Sequence, residues 1–284
     1  MGDDEVSIAD AISILRKDLK KRLAPLARAA KALDAIAAEG ALDDLAVLGK
    51  HEETVRDVDL SAFGMNDAKA ALASQLAALH DRLTAAARAE VLGELMRQGA
   101  GLEIAQITEH PLTVLISPIE TEIDLSGGRA RILYAREVID DDLKVEARAI
   151  LEAREKAMAR IRDQAVDSPV FFETAHRAYR AVLLARGFSP GERVDIVDLL
   201  APLALFRQEV ERWRGTDPVK AFPRYLLAYQ LHRMQRDGLL VKDGLRMELG
   251  TATGGSTRNK RDVIFIPASA TEGQYYLSIR FVSI

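Results

Sequence analysis

Cysteine is absent from this 284-residue sequence, and so are long uninterrupted apolar runs. Without thiols, the chain forms no disulfide, uses no cysteine nucleophile and offers no thiolate to zinc. No stretch approaches about 18 consecutive apolar residues, so we predict no membrane span. The sequence starts with Asp3, Asp4 and Glu5 instead of a basic segment followed by an apolar one. We therefore predict no signal peptide and a cytoplasmic location.

Aromatic residues are also scarce, at 5% of the chain, whereas alanine and leucine are abundant. The sequence is 48% hydrophobic and 29% charged, a balance typical of folded soluble proteins. Small and aliphatic side chains suit helix bundles and coiled coils, in which helices approach closely. The composition therefore predicts a mainly α fold with small β parts.

The overall net charge of −4 conceals an uneven distribution along the chain. Residues 168–284 contain 17 Lys and Arg against 12 Asp and Glu, a net charge of +5. Residues 1–167 contain 22 against 31, a net charge of −9. An acidic first part and a basic second part indicate two regions with different partners.

Two long amphipathic helices are predicted in the N-terminal region. The first covers 5–38, is interrupted by Pro25, where we expect a kink or a division, and ends near Gly40. The second starts at Asn66 or Asp67. Their apolar stripes consist of Ile12, Leu15, Leu19, Leu23, Leu26, Ala30, Leu33 and Ala37 in the first helix, and Leu72, Leu76, Leu79, Leu83 and Leu95 in the second.

The connector between these helices is mixed, with a short helix predicted at 42–48 and a loop at 51–64. Two helices of about 30 residues, each on the order of 45 Å long, are typical of an antiparallel helical hairpin. The alternative is that both belong to an ordinary bundle. In either arrangement, these helices are the predicted docking region for a protein partner.

A β-hairpin is predicted near 112–138. Residues 119–125 alternate between apolar and polar, Ser126-Gly127-Gly128 forms the turn, and a second alternation follows. On one face, Glu122 and Asp124 lie opposite Arg129 and Arg131, which favours cross-strand ion pairs. The other face is apolar and must pack on another element.

Three consecutive acidic residues, Asp140, Asp141 and Asp142, follow the predicted hairpin. A metal site is one interpretation. We favour the other, in which they cap the free N–H groups of a long helix that runs to about Val166. Ser168-Pro169 ends that helix and marks a predicted boundary between a helical region, 1–167, and a second domain, 168–284.

The C-terminal region predicts helices and strands in a definite order. Its elements are a helix over 170–186, a short strand over 193–196, a second helix through Trp213, a third helix over 222–237, and strand-like runs over 239–249, 262–268 and 274–282. The segment from Leu231 to Val241 ends the third helix at Gly238 and continues with apolar residues. Residues 250–261, rich in Gly and Thr, link the first two runs.

This order resembles a winged-helix domain, with the third helix in the place of the recognition helix and residues 250–261 as the wing. The resemblance covers residues 168–284 and implies that the third helix enters the DNA major groove while the wing contacts phosphates. The implied DNA-binding residues are Arg224, Arg233, Arg236, Arg258, Lys260 and Arg261. Winged helices also serve as dimerisation and protein-docking modules, notably in small subunits of bacterial chromosome-structuring complexes.

No catalytic motif is found. Residues 250–257 nearly match a phosphate-binding loop, but Ser256 occupies the lysine position and a strand follows. The histidines, His51, His80, His110, His176 and His232, include no pair spaced by four, so no helical zinc site is predicted. We expect no cofactor and no metal. A metal-dependent nuclease using Glu120, Glu122 and Asp124 is an alternative, although the second strand offers no acid-x-Lys.

Three hypotheses follow for function. The favoured one is a non-enzymatic DNA-associated protein, an accessory subunit of a nucleoprotein complex beside an SMC-like or other ATPase, or a regulator. Its partners are double-stranded DNA and a protein that binds the N-terminal helices. The second is a protein-docking adaptor that does not contact DNA. The third is the nuclease centred on the hairpin acids.

Overall fold

The computed structural model describes residues 8–109, 111–207, 220–257, 259–269 and 272–284. Contacts between residues divide the chain into two compact units. The first comprises residues 1–97 with the short segment 124–129, and the second comprises residues 98–123 and 130–284. The predicted domain boundary at 167/168 lies inside the second unit and stays a prediction.

The first unit consists of helices α1 (Ile8–Ala37), α2 (Leu45–Asp57) and α3 (Asn66–Gln98). Two long helices were predicted, and both are present. The middle helix is longer than predicted and replaces part of the expected loop at 51–64. Asp44 explains its start, because one carboxylate oxygen accepts hydrogen bonds from the backbone N–H groups of Ala46 and Val47, at 2.9 and 3.1 Å.

A small apolar core joins the three helices. Its buried members are Ala32, Ile36, Leu48, Val55 and Leu76, and Leu72, Leu79 and Leu83 pack against them. The spacing of three and four residues in α1 and α3 places these side chains on one face of each helix. The core of the first unit is therefore formed by all three helices, and α2 contributes Leu48 and Val55 to it.

The first half of α1 carries an apolar stripe that the described residues leave exposed. Leu15, Leu19 and Leu23 retain 63%, 57% and 58% of their accessible surface, whereas Ala29 and Ala32 further along are buried. The sequence predicted a kink or a division at Pro25; the helix continues through Pro25 as one element, so the division is wrong and the kink stays a prediction. Only the second half of α1 therefore contributes to the core of this unit.

The second unit contains an antiparallel sheet of five consecutive strands. They are β1 (Ile104–Glu109), β2 (Leu112–Ile116), β3 (Ile119–Asp124), β4 (Arg129–Tyr134) and β5 (Glu137–Lys144), paired in chain order. The predicted hairpin near 112–138 is thus too small. Its two strands are present, but further strands extend the sheet on both sides.

The strand β5 corrects a second expectation. Asp140, Asp141 and Asp142 lie within β5 and not at a helix start, because α4 begins only at Ala147. A two-residue turn joins β4 to β5, and both its residues, Ala135 and Arg136, have positive φ, at 52° and 63°. Positive φ at both central positions is the type I′ geometry that suits hairpins.

Helix α4 (Ala147–Gln164) packs in the second unit with a mostly buried face. Alternation along β3 buries Ile119, Thr121 and Ile123 and leaves Glu120 and Glu122 on the other face. Arg154 of α4 is almost fully buried, and its guanidinium donates to the backbone carbonyls of Ile116 and Ser117, at 3.2 and 3.0 Å. A buried arginine satisfied in this way fixes the helix to the β2–β3 turn.

The remaining elements of the second unit begin with α5 (Ser168–Arg186), β6 (Val194–Asp195), α6 (Leu200–Phe206) and α7 (Arg224–Arg236). They continue with β7 (Val241–Lys242), β8 (Leu245–Thr251), β9 (Ile264–Pro267) and β10 (Gly273–Ser283). The strands form an antiparallel sheet in the order β6-β10-β8-β7, and β9 also pairs with β10. The predicted continuation of the second helix to Trp213 lies outside the described residues.

The fold class is therefore mixed, with a majority of helix and two antiparallel sheets. This agrees with the prediction of a mainly α chain with smaller β parts. Within the described part of the chain, every helix is too short or too polar to cross a membrane.

Candidate functional site

Arg224 was predicted to contact DNA, and the structure places it at an internal junction. Its Nε donates to Glu137 of β5 at 2.7 Å, and its Nη atoms donate to the backbone carbonyls of Lys260, Arg261 and Val263. The side chain retains only 23% of its accessible surface. The guanidinium therefore joins α7, the end of the β4–β5 hairpin and the segment before β9.

The other two α7 arginines lie beside carboxylates at the end of the helix. Arg233 pairs with Asp167 at 3.2 Å and with Asp237 at 3.7 Å, and Arg236 pairs with Asp237 at 3.3 Å. A hydrogen bond from the buried Ser168 lowers the pKa of Asp237, and Arg236 and Arg233 act in the same direction. These pairs neutralise most of the positive charge at this end.

Helix α7 is covered along almost its whole length. Every residue from Arg224 to Gln235 is buried or half-buried, and Arg236 is the first exposed position. Tyr229 packs edge-on against Tyr134 of β4, with ring centroids 5.8 Å apart, and Gln235 donates to the hydroxyl of Tyr276 at 3.3 Å. A helix that reads a major groove presents a row of exposed side chains along its length. In α7, by contrast, the exposed positions begin only at Arg236.

The segment before β9 contains the remaining predicted DNA contacts. Lys260 and Arg261 are exposed, while their backbone carbonyls accept from Arg224. Asn259 donates to Asp262 at 2.6 Å and helps to fix the turn. Arg258 lies outside the described residues. Of the six predicted residues, Lys260 and Arg261 are exposed in one loop, and Arg224, Arg233 and Arg236 belong to α7.

A cavity of about 560 Å³ lies in the second unit between the polar face of the five-stranded sheet and β9. Glu120, Glu122, Arg131, Arg136 and Phe265 are among its lining residues. Of the ion pairs predicted across the hairpin, the one between Arg131 and Glu122 is present, since Nε of Arg131 donates to Glu122 at 2.6 Å. Ligand cavities are commonly of this size and combine a few polar groups with apolar walls.

Glu120 is the unusual carboxyl of this cavity. It is half-buried and has no hydrogen-bond partner among the described residues, in contrast to Glu122. Burial raises the pKa of Glu120; Arg136 acts in the opposite direction, and Glu122 adds to the increase. A carboxyl with a raised pKa in a cavity is a typical feature of binding and catalytic sites.

Arg136 lines the same cavity as Glu120 and lies beside two aromatic rings. Its guanidinium carbon lies 4.1 Å from the ring centroid of Phe265 and 5.1 Å from that of Tyr275. Nη1 also donates to the Tyr275 hydroxyl at 2.8 Å. Gly273 leaves room for the Phe265 ring, because a Cβ at position 273 would approach that ring to 2.3 Å. The arginine head is therefore held by stacking and one hydrogen bond.

The raised pKa of Glu120 predicts a stability change with pH. Between the ordinary pKa of glutamate, about 4.3, and the raised value, the folded chain binds more protons than the unfolded one. The free energy of unfolding of the wild type should therefore fall as pH rises through this window, relative to Glu120→Gln. Denaturant titrations of both proteins at several pH values measure this difference. Parallel curves would show that Glu120 titrates normally.

A different hydrogen-bonded series lies in the first unit. Nδ1 of His80 is 3.3 Å from a carboxylate oxygen of Glu52, and Nε2 is 3.1 Å from the hydroxyl of Ser126. This order of groups is that of a serine nucleophile, but such sites also need free N–H groups for an oxyanion. The N–H groups of Gly127 and Gly128 donate to Asp124 and Leu125. We interpret the series as structural.

No group of three or more acidic or histidine side chains suited to a metal occurs in the part of the chain that the structure describes. Of the three acids in the nuclease hypothesis, Glu122 is paired with Arg131, and Asp124 accepts from the N–H of Gly127. His110 lies outside the described residues. The hypothesis of a nuclease therefore has no geometric support in the hairpin.

Sequence reasoning named Glu120 as one of the alternating hairpin acids of the nuclease hypothesis, and it missed Arg136. The strand alternation was a usable signal for Glu120, because it indicated the polar face. Arg136 had no comparable signal, since its aromatic partners come from β9 and β10, more than a hundred positions later.

A scan against family models gave no match for this chain, and searches of curated proteins and of solved structures gave none either.

Proposed function

We propose that this chain is a non-enzymatic docking subunit of a larger complex, the second of the hypotheses raised by the sequence. The observation that carries the proposal is the exposed leucine stripe of α1, formed by Leu15, Leu19 and Leu23. These leucines recur every four residues and so form one continuous line on the helix. A line of exposed leucines is typical of a helix that pairs with another helix.

The charges around the stripe define the partner. Arg16, Lys17, Lys20, Lys21 and Arg22 are all exposed on the same half of α1, where they outnumber the exposed Asp18 that lies 4.0 Å from Arg22. A second copy of α1 would bring these cations together and be repelled. A partner helix with its own apolar stripe and acidic flanks would satisfy both the leucines and the cations. We therefore infer an acidic amphipathic helix as the occupant.

A winged-helix assignment for residues 168–284 belongs to this proposal. It is supported by the order of α5, β6, α6 and α7 followed by β8 and β10, and by a sheet in which β10 lies between β6 and β8. Because α7 is covered within the second unit, the module resembles winged helices that dock proteins more than those that read DNA. An ATPase of a nucleoprotein machine in the cytoplasm remains the partner that the sequence favours.

A second docking surface lies on this module. An open groove of about 940 Å³ is lined by Arg177, Tyr179, Arg180, Leu184 and Phe206, among others. Leu184 is 85% exposed, and Arg177 stacks over Phe206 at 4.8 Å. Aromatic and arginine side chains are enriched at interfaces. An apolar segment with acidic flanks fits this groove, and an adaptor with two such surfaces bridges two partners.

Site-specific photocrosslinking tests the α1 surface. A crosslinker at position 19 of the full chain should capture a partner in native cells, and peptide mapping should place the adduct on an acidic amphipathic helix. The purified partner should then bind wild type at least about tenfold more tightly than Leu19→Glu, since burying an unpaired charge costs on the order of 1.4 kcal/mol or more. Ala24→Glu is the matched control, because Ala24 is exposed and lies opposite the stripe.

Three outcomes would contradict the proposal. The first is equal binding by Leu19→Glu and Ala24→Glu. The second is an adduct on a basic or unstructured segment. The third is an adduct with another copy of this chain, accompanied by a dimer in sedimentation equilibrium, which would make the stripe a self-association surface.

DNA association through the loop before β9 is the second candidate function. It is favoured by the exposed Lys260 and Arg261 and by the net charge of +5 over residues 168–284. Phosphate contacts of this kind bind duplex DNA without sequence preference and weaken steeply with salt. In a fluorescence titration at low salt, Lys260→Glu with Arg261→Glu should then lose duplex binding. Unchanged affinity in this double variant, or no binding by the wild type, would exclude the loop as a DNA contact.

A further inference from the structure

We propose that the cavity between the five-stranded sheet and β9 binds a small molecule that carries an oxyanion, a carboxylate or a phosphate, with Arg136 as its anchor and Glu120 as its second contact. This site is separate from the docking surfaces proposed above. Three features of the site support this assignment: the fixed head of Arg136, the positive φ at its position, and a half-buried carboxyl in the same cavity that has no hydrogen-bond partner among the described residues.

The guanidinium of Arg136 is held in place and has N–H donors available for an anion. Stacking over Phe265 and the hydrogen bond to Tyr275 hold its plane, and they use only one of its five N–H donors. The side chain is exposed, so the remaining donors are accessible. A planar guanidinium with a free edge binds carboxylate or phosphate through two parallel hydrogen bonds. A head already held in place also loses little side-chain entropy on binding.

Backbone strain supports a role for this arginine beyond packing. Ala135 and Arg136 both have positive φ, in a turn that favours Asn-Gly or Gly-Gly. A residue other than glycine, asparagine or aspartate in this region costs on the order of 1 kcal/mol. Strained residues cluster at functional sites, where the side chain is retained for what it binds. At position 136, that side chain is a cation at a cavity.

The rest of the cavity limits the ligand. Glu120 lines the cavity without a hydrogen-bond partner among the described residues, and burial raises the pKa of its carboxyl, so a polar group of the ligand would supply the missing partner. Lys260 lines the same cavity and supplies a second positive charge, whereas Arg131 is neutralised by Glu122. The ligand therefore has an anionic group for Arg136 and Lys260 and a polar group for Glu120. A volume of about 560 Å³ suits a small metabolite.

Titration of the full-length chain with simple anions tests the site. Inorganic phosphate and succinate are each added in the millimolar range while ¹H–¹⁵N spectra are recorded. We expect saturable shifts of the Arg136 Nε–H and of the backbone amides of residues 135–137 with one of them. Saturation by phosphate alone identifies a phosphate-bearing ligand, and saturation by succinate alone identifies a carboxylate.

Two variants show whether Arg136 is the anchor. Arg136→Asn suits positive φ, so the turn should keep its fold, yet binding should weaken at least about tenfold with the loss of a bidentate charged contact. Arg148→Gln removes the same charge from α4, where Arg148 pairs with Glu152, and should bind as the wild type does. Equal affinity of the two variants, or no saturable shift with either anion, would overturn the proposal.

Discussion

Replacing Arg224 by alanine should lower the free energy of unfolding of the second unit by about 3 kcal/mol, since it removes one member of a largely buried, hydrogen-bonded ion pair. The substitution leaves Glu137 without its partner at 2.7 Å and three backbone carbonyls without their donor. Chemical denaturation of the full chain, followed by circular dichroism, measures the change. Arg224→Lys should recover only part of it, because an ammonium cannot reach these acceptors together.

Arg236→Ala is the matched control for this experiment. Arg236 belongs to the same helix but is exposed, and its carboxylate neighbour, Asp237, keeps Ser168 as a donor. Its loss should change stability by less than about 0.5 kcal/mol. Suppose that Arg224→Ala and Arg236→Ala both unfold at the same denaturant concentration as the wild type, while Arg224→Ala alone loses duplex binding. Arg224 would then be a DNA contact, and its hydrogen bonds within the second unit would contribute little to stability.

Leu48→Ala should destabilise the first unit by a similar amount, about 3 kcal/mol, because Leu48 is fully buried among Ala32, Ile36, Val55 and Leu76. The loss combines the transfer of a large side chain and the cavity left behind. Hydrogen exchange of the amides of α2 and α3 reports on this unit separately from the other.

Leu19→Ala provides the contrast. Leu19 keeps 57% of its surface exposed, so its truncation should leave amide protection in the first unit within about 0.5 kcal/mol of the wild type. Two leucines with similar places in the amphipathic pattern should thus differ strongly in their contribution to folding. Strong loss of protection in Leu19→Ala would mean that the stripe already packs inside this chain and is not a docking surface.

Several elements were predictable because their signals are local. Gly238 was expected to end the third helix of the C-terminal region, and α7 ends at Arg236, with Gly238 following at a φ of 67°. Helix α5 was predicted over 170–186, and the structure begins it two residues earlier and ends it at the same residue. Periodicity and glycine punctuation act within a few residues, so they are readable from the sequence.

The β4–β5 hairpin was not predictable, because its turn lacks the expected chemistry. Ala135 and Arg136 occupy the two central positions of the turn, where Asn-Gly is the usual sequence signal of a hairpin. Because that signal is absent, the acidic run of β5 was assigned to the start of a helix. Arg136, the anchor of the candidate ligand site, is therefore also one of the two residues that obscured the strand.

The predicted DNA-binding arginines illustrate another limit. Spacing indicates that Arg224, Arg233 and Arg236 share one helix, but it does not indicate what lies beside them. The partner of Arg224 is Glu137, 87 residues earlier, and that of Arg233 is Asp167, 66 residues earlier. Whether a cation is free or paired is decided by such distant carboxylates.

The strand order of the second unit has a consequence for the time course of folding. In the five-stranded sheet, each strand pairs with the next strand in the chain. For example, Leu112 of β2 pairs with Glu109 of β1 and with Ile123 of β3. In the other sheet, Val194 of β6 pairs with Ile279 of β10, 85 residues later. Local pairings close short loops and form fast, whereas distant ones are slow. We therefore expect a stage of folding in which β1 to β5 are assembled while the apolar side chains of β10, including Phe281, are not yet buried. Such a stage is the one in which a chaperone would bind it and in which unpaired strand edges would aggregate.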